Sequence, residues 1–295
     1  MAAGGRGEGT GMDDVHVTQW DGTAGRGPRA VFAHGILTWG DDERYGFAAQ
    51  RPLADRYRLL LMDRRGYGRS PDIAHSDYEA DADDLIRLLG DGGHLVGHAY
   101  GGVSALVAAA RRPDLVRSLT LIQPGALRPA AGHPVVAAAL ERARKATTQL
   151  PEDYPPEEFL RASTEALGMP APEPTPRRLR AAASSMAERP CWDAEIPLEP
   201  LAAAPWPKLL ISGDWAGAPP LYKEYAGEPL IACAEFLAEA IGAGHLVVPG
   251  YYPHTQRPAE VNAALRELWG RGDGLRDGTA QGPAGGERRD FEDRP

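Results

Sequence analysis

The residues with the clearest chemical meaning form a short turn at Gly97–Gly101, with the sequence Gly-His-Ala-Tyr-Gly. An apolar run precedes this turn and an Ala/Val-rich, helix-like stretch follows it, which predicts a sharp strand-to-helix connection. In the G-x-S-x-G pattern the middle residue of such a connection is a nucleophilic serine. Here that position holds Ala99, whose methyl group has no lone pair for attack and no proton to give. No covalent acyl-enzyme can form at Ala99.

Strand-like and helix-like segments alternate along most of the chain, which is typical of a parallel sheet covered by helices. The predicted strands are 15–20, 29–35, 57–63, 94–98, 116–124, 207–213 and 245–250. The predicted helices are 42–54, 77–89, 99–111, 133–148, 156–167, 175–188, 228–242 and 256–270.

The strand pattern is interrupted between 127 and 205, where helical pieces are separated by proline-rich turns. We therefore predict a helical cap at 127–205, inserted into a core made of 13–126 and 206–270. Glycine-rich or charged segments with little to bury stand at both ends, so 1–12 and 271–295 are predicted to be disordered tails.

Composition excludes several classes of partner. The 295 residues carry a net charge of −9, which disfavours binding to nucleic acid or to an anionic membrane surface. No apolar run reaches the length of a membrane span and no signal-peptide pattern opens the chain, so we expect a cytoplasmic protein. Cys191 and Cys233 are far apart and have no metal-ligand spacing, which predicts two reduced thiols.

The glycine-rich segments near the start lack the preceding strand and following helix of a phosphate-binding loop. The sequence thus predicts no nucleotide, flavin, metal or other cofactor. The expected partner is a small hydrophobic substrate, and pairing with a second copy of the chain stays open.

Five segments stand in an order and spacing that resemble the capped branch of the α/β-hydrolase superfamily, over roughly residues 14–270. They are VFAHG (31–35), MDRRGYGRS (62–70), GHAYGG (97–102), ISGDW (211–215) and VVPGYY (247–252). The resemblance implies an α/β-hydrolase fold, with a mostly parallel central sheet flanked by helices. It also implies a site where a nucleophile, a histidine and a carboxylate act beside two backbone N–H groups that hold an oxyanion.

The carboxylate position departs from the family pattern. Counting from Gly213 places Ala216 where the family has its acid, and Asp214 lies two residues earlier. Asp214 is kept as a candidate catalytic residue, with a turn or helix-capping role as the alternative.

The histidine position has two possible registers. Counting from Gly250 places Pro253 there, whereas counting back from Pro258 places Tyr251 there. His254, one residue beyond the first register, is the nearby imidazole. We keep His254 and Tyr251 as candidate catalytic residues.

The pocket itself is expected to survive. The resemblance places an oxyanion hole at the backbone N–H groups of Ile36 and Tyr100, at the positive end of the helix that follows Ala99. His34 is expected at the pocket edge or as a loop brace, and Trp39 and Trp215 as pocket walls or core residues.

Other residues that draw attention are interpreted as structural. They are His98 beside the turn and Asp63 and Arg65 in their loop, while Trp192 is a further pocket wall or core residue.

Three functions remain open. The favoured one is a non-hydrolytic, cofactor-free enzyme acting on a hydrophobic or aromatic molecule in bacterial natural-product biosynthesis, by proton transfer with C–C bond formation, cyclisation, elimination or oxygenation. The second is an esterase or thioesterase inactivated by an engineered serine-to-alanine change at Ala99, which an Asp214–His254 pair below Ala99 would favour. The third is a ligand-binding protein without chemistry.

Overall fold

A computed structural model describes residues 14–147, 151 and 153–280. Seven strands form one sheet in the order β1-β3-β2-β4-β5-β6-β7, in which β1 is antiparallel to β3 and every other pair is parallel. The strands are β1 (Val17–Trp20), β2 (Arg29–Ala33), β3 (Arg58–Met62), β4 (Gly93–His98), β5 (Val116–Ile122), β6 (Lys208–Gly213) and β7 (Gly244–Val248).

The helices fill the connections between these strands. They are α1 (Tyr78–Leu89), α2 (Tyr100–Arg111), α3 (Pro134–Thr147), α4 (Pro156–Glu165), α5 (Pro176–Met186), α6 (Leu198–Ala203), α7 (Pro220–Tyr222), α8 (Glu228–Ile241), α9 (Pro253–Gln256) and α10 (Pro258–Ala280). Short 3₁₀ segments lie at Ala48–Asp55, Pro113–Leu115, Arg128–Ala130 and Cys191–Asp193, and a π-helical segment at Lys223–Gly227.

The predicted α/β-hydrolase fold is confirmed, with all seven predicted strands present. The predicted helix 42–54 is wrong in type, because the chain there forms a 3₁₀ segment that begins only at Ala48 and contains Pro52. Proline lacks an N–H donor and clashes with the preceding turn, which explains why no α-helix forms.

The predicted tail 271–295 is wrong in its first ten residues. Helix α10 continues to Ala280, and Asp273 binds Arg117 at 2.9 Å, which ties this part of the helix to β5. That contact joins residues far apart in the chain, so local composition does not reveal it. Residues 281–295 and the predicted tail 1–12 lie outside the described residues.

Apolar side chains cover both faces of the sheet. Every residue of β4 is buried, as expected for a central parallel strand. On one face the core is formed with α1, α2 and α8. On the other, Phe32 packs against Phe47 and Trp269, with ring centres 5.0 and 6.2 Å apart. These layers fix β4 and the residues that follow it.

Helices α3 to α6 lie between β5 and β6 in the chain, and the described residues of 123–207 contain no strand. Helix α5 is attached to the core through polar contacts. Arg178 binds Asp42 at 2.7 Å, and Ser185 accepts a hydrogen bond from the Leu37 N–H at 3.1 Å. Helix α5 is therefore anchored to the core beside the carboxyl end of β4.

The connection from β4 to α2 requires glycine at Gly101. A Cβ atom there would lie 2.6 Å from the carbonyl oxygen of His34, and still closer to that of Ala33. The same closeness lets the Gly101 N–H donate to the His34 carbonyl at 3.1 Å. The start of α2 thus packs directly on the end of β2.

We expect Gly101→Ala to destabilise the fold by roughly 2 kcal/mol or more, because the added methyl group must displace backbone. Urea unfolding of the variant beside the wild type measures this. Gly132→Ala is the matched control, since a Cβ at Gly132 meets nothing within 4 Å. Equal losses in both variants would contradict the steric explanation.

Candidate active site

Ala99 occupies a strained turn at the end of β4. Its backbone has φ 48° and ψ −113°, a left-handed conformation that residues other than glycine rarely adopt. Its N–H donates to the Ile122 carbonyl and its own carbonyl accepts from the Gly125 N–H, both at 3.0 Å. Strain of this kind costs on the order of 1–3 kcal/mol and is concentrated at functional sites.

A cavity of about 310 Å³ lies above Ala99, and we call it the reaction cavity. Among the described residues its lining contains no Asp, Glu, Lys or Arg, so it suits an uncharged ligand. It is lined by Ile36, Leu37, Thr38, Tyr45, His98, Ala99, Gln123, Ser163, Thr164, Leu167, Met169, Pro170, Pro172, Trp215, Tyr222, Ala226, Leu230 and Tyr252.

Aromatic rings form one wall of the reaction cavity. The hydroxyl groups of Tyr222 and Tyr252 lie 2.9 Å apart and share a hydrogen bond. Trp215 contacts Tyr222 with ring centres 5.0 Å apart, and Tyr45 contacts Tyr252 at 5.4 Å. Such a wall favours a flat, apolar ligand. Trp215 is thus a pocket wall, as one of the two sequence interpretations held.

Gln123 follows β5 and orders the loops around the cavity. Its side-chain oxygen accepts from the Gly213 N–H at 3.0 Å and from the Trp215 indole N–H at 3.1 Å. Its amide nitrogen donates to the Tyr251 carbonyl at 3.1 Å. The sequence analysis missed Gln123, although a polar residue directly after an apolar strand was the available signal.

Asp214 lies outside the reaction cavity. Its side chain is exposed, and Oδ1 accepts hydrogen bonds from the N–H groups of Ala216 and Gly250, both at 3.0 Å. These bonds, that from Ala216 first, lower the pKa of the carboxyl group. Asp214 therefore braces the turns after β6 and β7, in keeping with the turn role considered for it.

His254 is fully buried and does not line the reaction cavity. Its Nε2 lies 3.2 Å from the Tyr45 carbonyl, so this nitrogen carries the proton, while Nδ1 is buried without a hydrogen-bond partner. Burial lowers the pKa of His254 to about 4. None of its contacts is with Asp214, so the pair that would favour a replaced-serine hydrolase does not form.

Tyr251 lies behind the aromatic wall, whereas its neighbour Tyr252 lines the cavity. The ring of Tyr251 contacts Tyr252 at 5.1 Å and Trp215 at 6.0 Å. Its N–H donates to the Gln256 side chain at 2.8 Å. The candidate chosen from the sequence, Tyr251, is therefore absent from the described lining of the reaction cavity.

His98 lines the reaction cavity next to Ala99, although sequence interpretation made it structural. Its Nδ1 is buried without a hydrogen-bond partner, and its ring centre lies 4.3 Å from that of His254. Burial, and then the nearby His254 and His34, hold the pKa of His98 well below its usual value. The site therefore contains a neutral imidazole pair that periodicity could not reveal.

His34 braces its loop. Its Nδ1 donates to the Gly35 carbonyl at 2.7 Å and its Nε2 accepts from the Arg64 N–H at 3.0 Å. Burial is the main cause that lowers the pKa of His34 well below its usual value.

Of the two expected oxyanion residues, one lines the reaction cavity and the other directly follows the lining residue Ala99. Ile36 lines the cavity, and the N–H of Tyr100 is the first of α2, where no carbonyl of the helix can reach it. Trp39 does not line the reaction cavity, and instead packs against the guanidinium groups of Arg177 and Arg178 at 4.3 and 4.4 Å.

Asp63 and Arg65 make the contacts expected of residues that brace their loop. Asp63 accepts from the N–H groups of Gly40 and Arg69, both at 2.9 Å. Arg65 binds Asp84 at 2.8 Å.

Comparison with known proteins identifies a family and several partial relatives. The model of the alpha/beta hydrolase family matches residues 30–264. The chain is 38% identical over 107 residues to 2-(acetamidomethylene)succinate hydrolase of Mesorhizobium japonicum, covering 33% of this chain and 36% of that protein. It is 39% identical over 113 residues to the polyketide synthase ThaQ of Burkholderia thailandensis, covering 36% of this chain and 5% of that protein. These matches span little more than a third of the first relative and a small part of the second.

Solved structures agree over a larger part of the chain. A thermophilic esterase from Thermogutta terrifontis has a TM-score of 0.59 at 26% identity, covering 88% of this chain and 93% of that one. A hydrolase from Pseudomonas aeruginosa has a TM-score of 0.60 at 21% identity, covering 86% and 93%, and supports the fold alone. Among the described helices, none combines the length and the apolar character needed to cross a bilayer.

We expect acid to destabilise the protein partly through His254. Its folded pKa of about 4 lies below the usual value of 6.5, so between these pH values only the unfolded chain takes up the proton. The free energy of unfolding therefore falls as the pH falls from 6.5, by about 3 kcal/mol at pH 4 from this group. Urea unfolding across this pH range should show that the free energy of unfolding falls less steeply with falling pH in His254→Gln than in the wild type.

The exposed His133 provides the control, since His133→Gln leaves the buried imidazoles in place. Parallel pH profiles for the wild type and His254→Gln would show that His254 is not held neutral by burial.

Proposed function

Since the chain belongs to the alpha/beta hydrolase family, we propose that it is a cofactor-free enzyme that uses the family's pocket without a serine nucleophile. The observation that carries this proposal is the methyl group of Ala99 in the strained turn below an uncharged cavity. A hydrolase would need an attacking atom there. The strained turn nevertheless keeps its shape, which supports a role of the helix N-terminus in binding the ligand.

The proposed reaction is removal of a proton from a carbon next to a carbonyl group. The C–H bond breaks, its proton moves to an imidazole, and its electron pair moves onto the carbonyl oxygen to give an enolate. The N–H groups of Tyr100 and Ile36 stabilise that oxyanion at the positive end of α2. The enolate carbon can then form a C–C bond, expel a leaving group or react with dioxygen. Because this chain supplies the base and the N–H donors, proton transfer needs no cofactor.

His98 is the proposed base, in place of His254, Asp214 or Tyr251. The Tyr45 carbonyl fixes the proton of His254 on Nε2, so the Nδ1 of His254 is left as an acceptor. In the reacting state this nitrogen accepts the Nδ1–H of His98, which leaves Nε2 of His98 as the lone pair for the substrate. His254 is thus a positioning residue. The forming enolate is an opposite charge beside His98 and raises its pKa as the proton arrives.

The proposed substrate is a small aromatic or otherwise flat carbonyl compound of bacterial natural-product metabolism. The proposed location of the enzyme is the cytoplasm. The aromatic wall and the absence of charged side chains from the described lining support an aromatic and uncharged group in the reaction cavity. The partial likeness to the polyketide synthase ThaQ supports a polyketide-like origin. Other relatives carry hydrolase or esterase names, so a hydrolase that lost its serine remains the competing function.

We expect Ala99→Ser to have no esterase activity, because among the described residues no carboxylate is bonded to His98 or His254 to support a serine relay. The variant is tested with p-nitrophenyl acetate and butyrate and with an acyl-thioester, beside the wild type. Intact-mass measurement then looks for an acyl group. A burst of p-nitrophenol with an acylated Ser at position 99 would contradict the proposed function and favour the replaced-serine hydrolase.

We expect the wild type to accelerate exchange of the acidic C–H protons of 2-tetralone for deuterium in D₂O, followed by NMR. His98→Gln should lower this acceleration by roughly 10²- to 10⁴-fold, the usual contribution of a general base. His254→Gln should lower it less and shift its pH profile. His133→Gln should leave it unchanged, because His133 is exposed and outside the cavity.

Binding of 2-tetralone without any exchange would instead favour a ligand-binding protein. Full activity in His98→Gln would exclude His98 as the base.

A further inference from the structure

A second cavity of about 340 Å³ adjoins the reaction cavity, and we call it the side cavity. Ile36 lines both cavities, and Tyr100 of the side cavity directly follows Ala99. The two residues proposed to hold the oxyanion therefore stand between two chambers. A ligand that reacts above Ala99 can extend past Ile36 into the side cavity.

The side cavity contains a buried carboxylate, Glu188, whose side chain is only 7% exposed. Its Oε1 accepts from the Arg64 guanidinium at 2.6 Å and also from the hydroxyl of Tyr67. Both bonds use the same oxygen. The other carboxylate oxygen is thus available to a ligand in the cavity that Glu188 lines.

The charge around Glu188 is not balanced. Arg64 also binds the fully buried Asp81 at 2.6 Å, so one guanidinium serves two carboxylates. A buried excess negative charge is costly without a partner. Burial accordingly raises the pKa of Glu188 to about 7, against its usual 4.5.

No other group of the described lining supplies the missing positive charge. Arg189 is engaged with Glu79 at 2.9 Å and half exposed. Burial raises the pKa of Cys191 to about 12, so it stays a neutral thiol, and the Tyr100 hydroxyl donates to the Arg189 carbonyl at 3.1 Å. The remaining lining is largely apolar, with Phe159 and Trp192 among it.

We propose that the side cavity binds a protonated amine at one end of an elongated substrate, whose flat end lies in the reaction cavity. The amine binds the free oxygen of Glu188 and completes the charge balance of the Arg64, Asp81 and Glu188 cluster. This inference rests on the proposed function for the identity of the reaction cavity. It concerns binding alone, so it is tested separately from the chemistry.

The test measures affinities by isothermal titration calorimetry at pH 8. The probes are ω-phenylalkylamines with three to eight methylene groups, each with the matching ω-phenylalkanol and ω-phenylalkanoic acid. We expect affinity for the amines to rise with chain length until the amine reaches Glu188. The long amine should bind at least tenfold tighter than its alcohol, and the acid weaker still.

Glu188→Gln keeps the shape of the side chain but removes its charge, and it should abolish the tenfold preference for amine over alcohol. Glu195→Gln is the matched control, because Glu195 is 82% exposed, pairs with Arg128 on the surface and is outside both cavities. Circular dichroism and thermal unfolding check that each variant is folded.

A second variant avoids the buried charges. Ala146 lines the side cavity from α3, so Ala146→Trp occupies space in it while Glu188 and Arg64 are left unchanged. We expect Ala146→Trp to remove the rise in affinity with chain length while leaving binding of the short phenylalkylamine intact.

Equal binding of long amine and alcohol to the wild type would overturn the proposal, as would an unchanged preference in Glu188→Gln or a persisting length gain in Ala146→Trp. Deuterium exchange without amine selectivity would refute the side-cavity site and leave the proposed reaction in place. Amine selectivity without deuterium exchange would support the side-cavity site and refute the proposed reaction.

Discussion

Close packing of backbone around Ala99 is the constraint on which the rest of the site depends. A Cβ at Gly35 would lie 3.0 Å from the Ala99 methyl group, and one at Gly101 would meet the carbonyl oxygens of β2 and its loop. With its N–H and carbonyl both hydrogen-bonded, Ala99 is held at a positive φ although it is not glycine. That geometry starts α2 directly after Ala99 and places His98 in the lining of the cavity. The strain is kept although no hydroxyl group benefits, which is why oxyanion binding is the function we assign to the turn.

Exclusion of water gives the two cavities opposite preferences for the charge of the group they bind. Burial disfavours whichever form of a group is charged, so it lowers the pKa of His98 and His254 and raises that of Glu188. The reaction cavity, with neutral imidazoles and aromatic rings, suits an uncharged group that becomes anionic only during reaction. The side cavity holds a carboxylate that lacks a full counter-charge and so suits a cation. A single desolvated region can in this way orient an elongated ligand from both ends.

The fold and the site of this chain relate to the family differently. Likeness to solved structures extends over most of the chain, whereas the curated relatives match about a third of it. The hydrogen bonds that the fold needs are made by the expected residues, including Asp63 and His34. Gln123 in the cavity lining and Asp214 outside it brace the loops after β6 and β7. A family fold that carries alanine at position 99 is compatible with chemistry that differs from ester hydrolysis.

The sequence by itself determined the fold class, the seven strand segments and the turn at Ala99, because these follow from apolar periodicity and from short motifs that are local in the chain. It also determined that Ala99 cannot attack a substrate. It chose His254 as the candidate base, although His98 and not His254 lines the reaction cavity, and it took 271–280 for a disordered tail, since the Arg117–Asp273 contact joins distant segments. Only the tertiary structure decided that His98 faces the cavity with His254 behind it, and that Glu188 shares Arg64 with Asp81. Burial and proximity between residues far apart in the chain set the protonation and partners of such groups, and no local pattern encodes either.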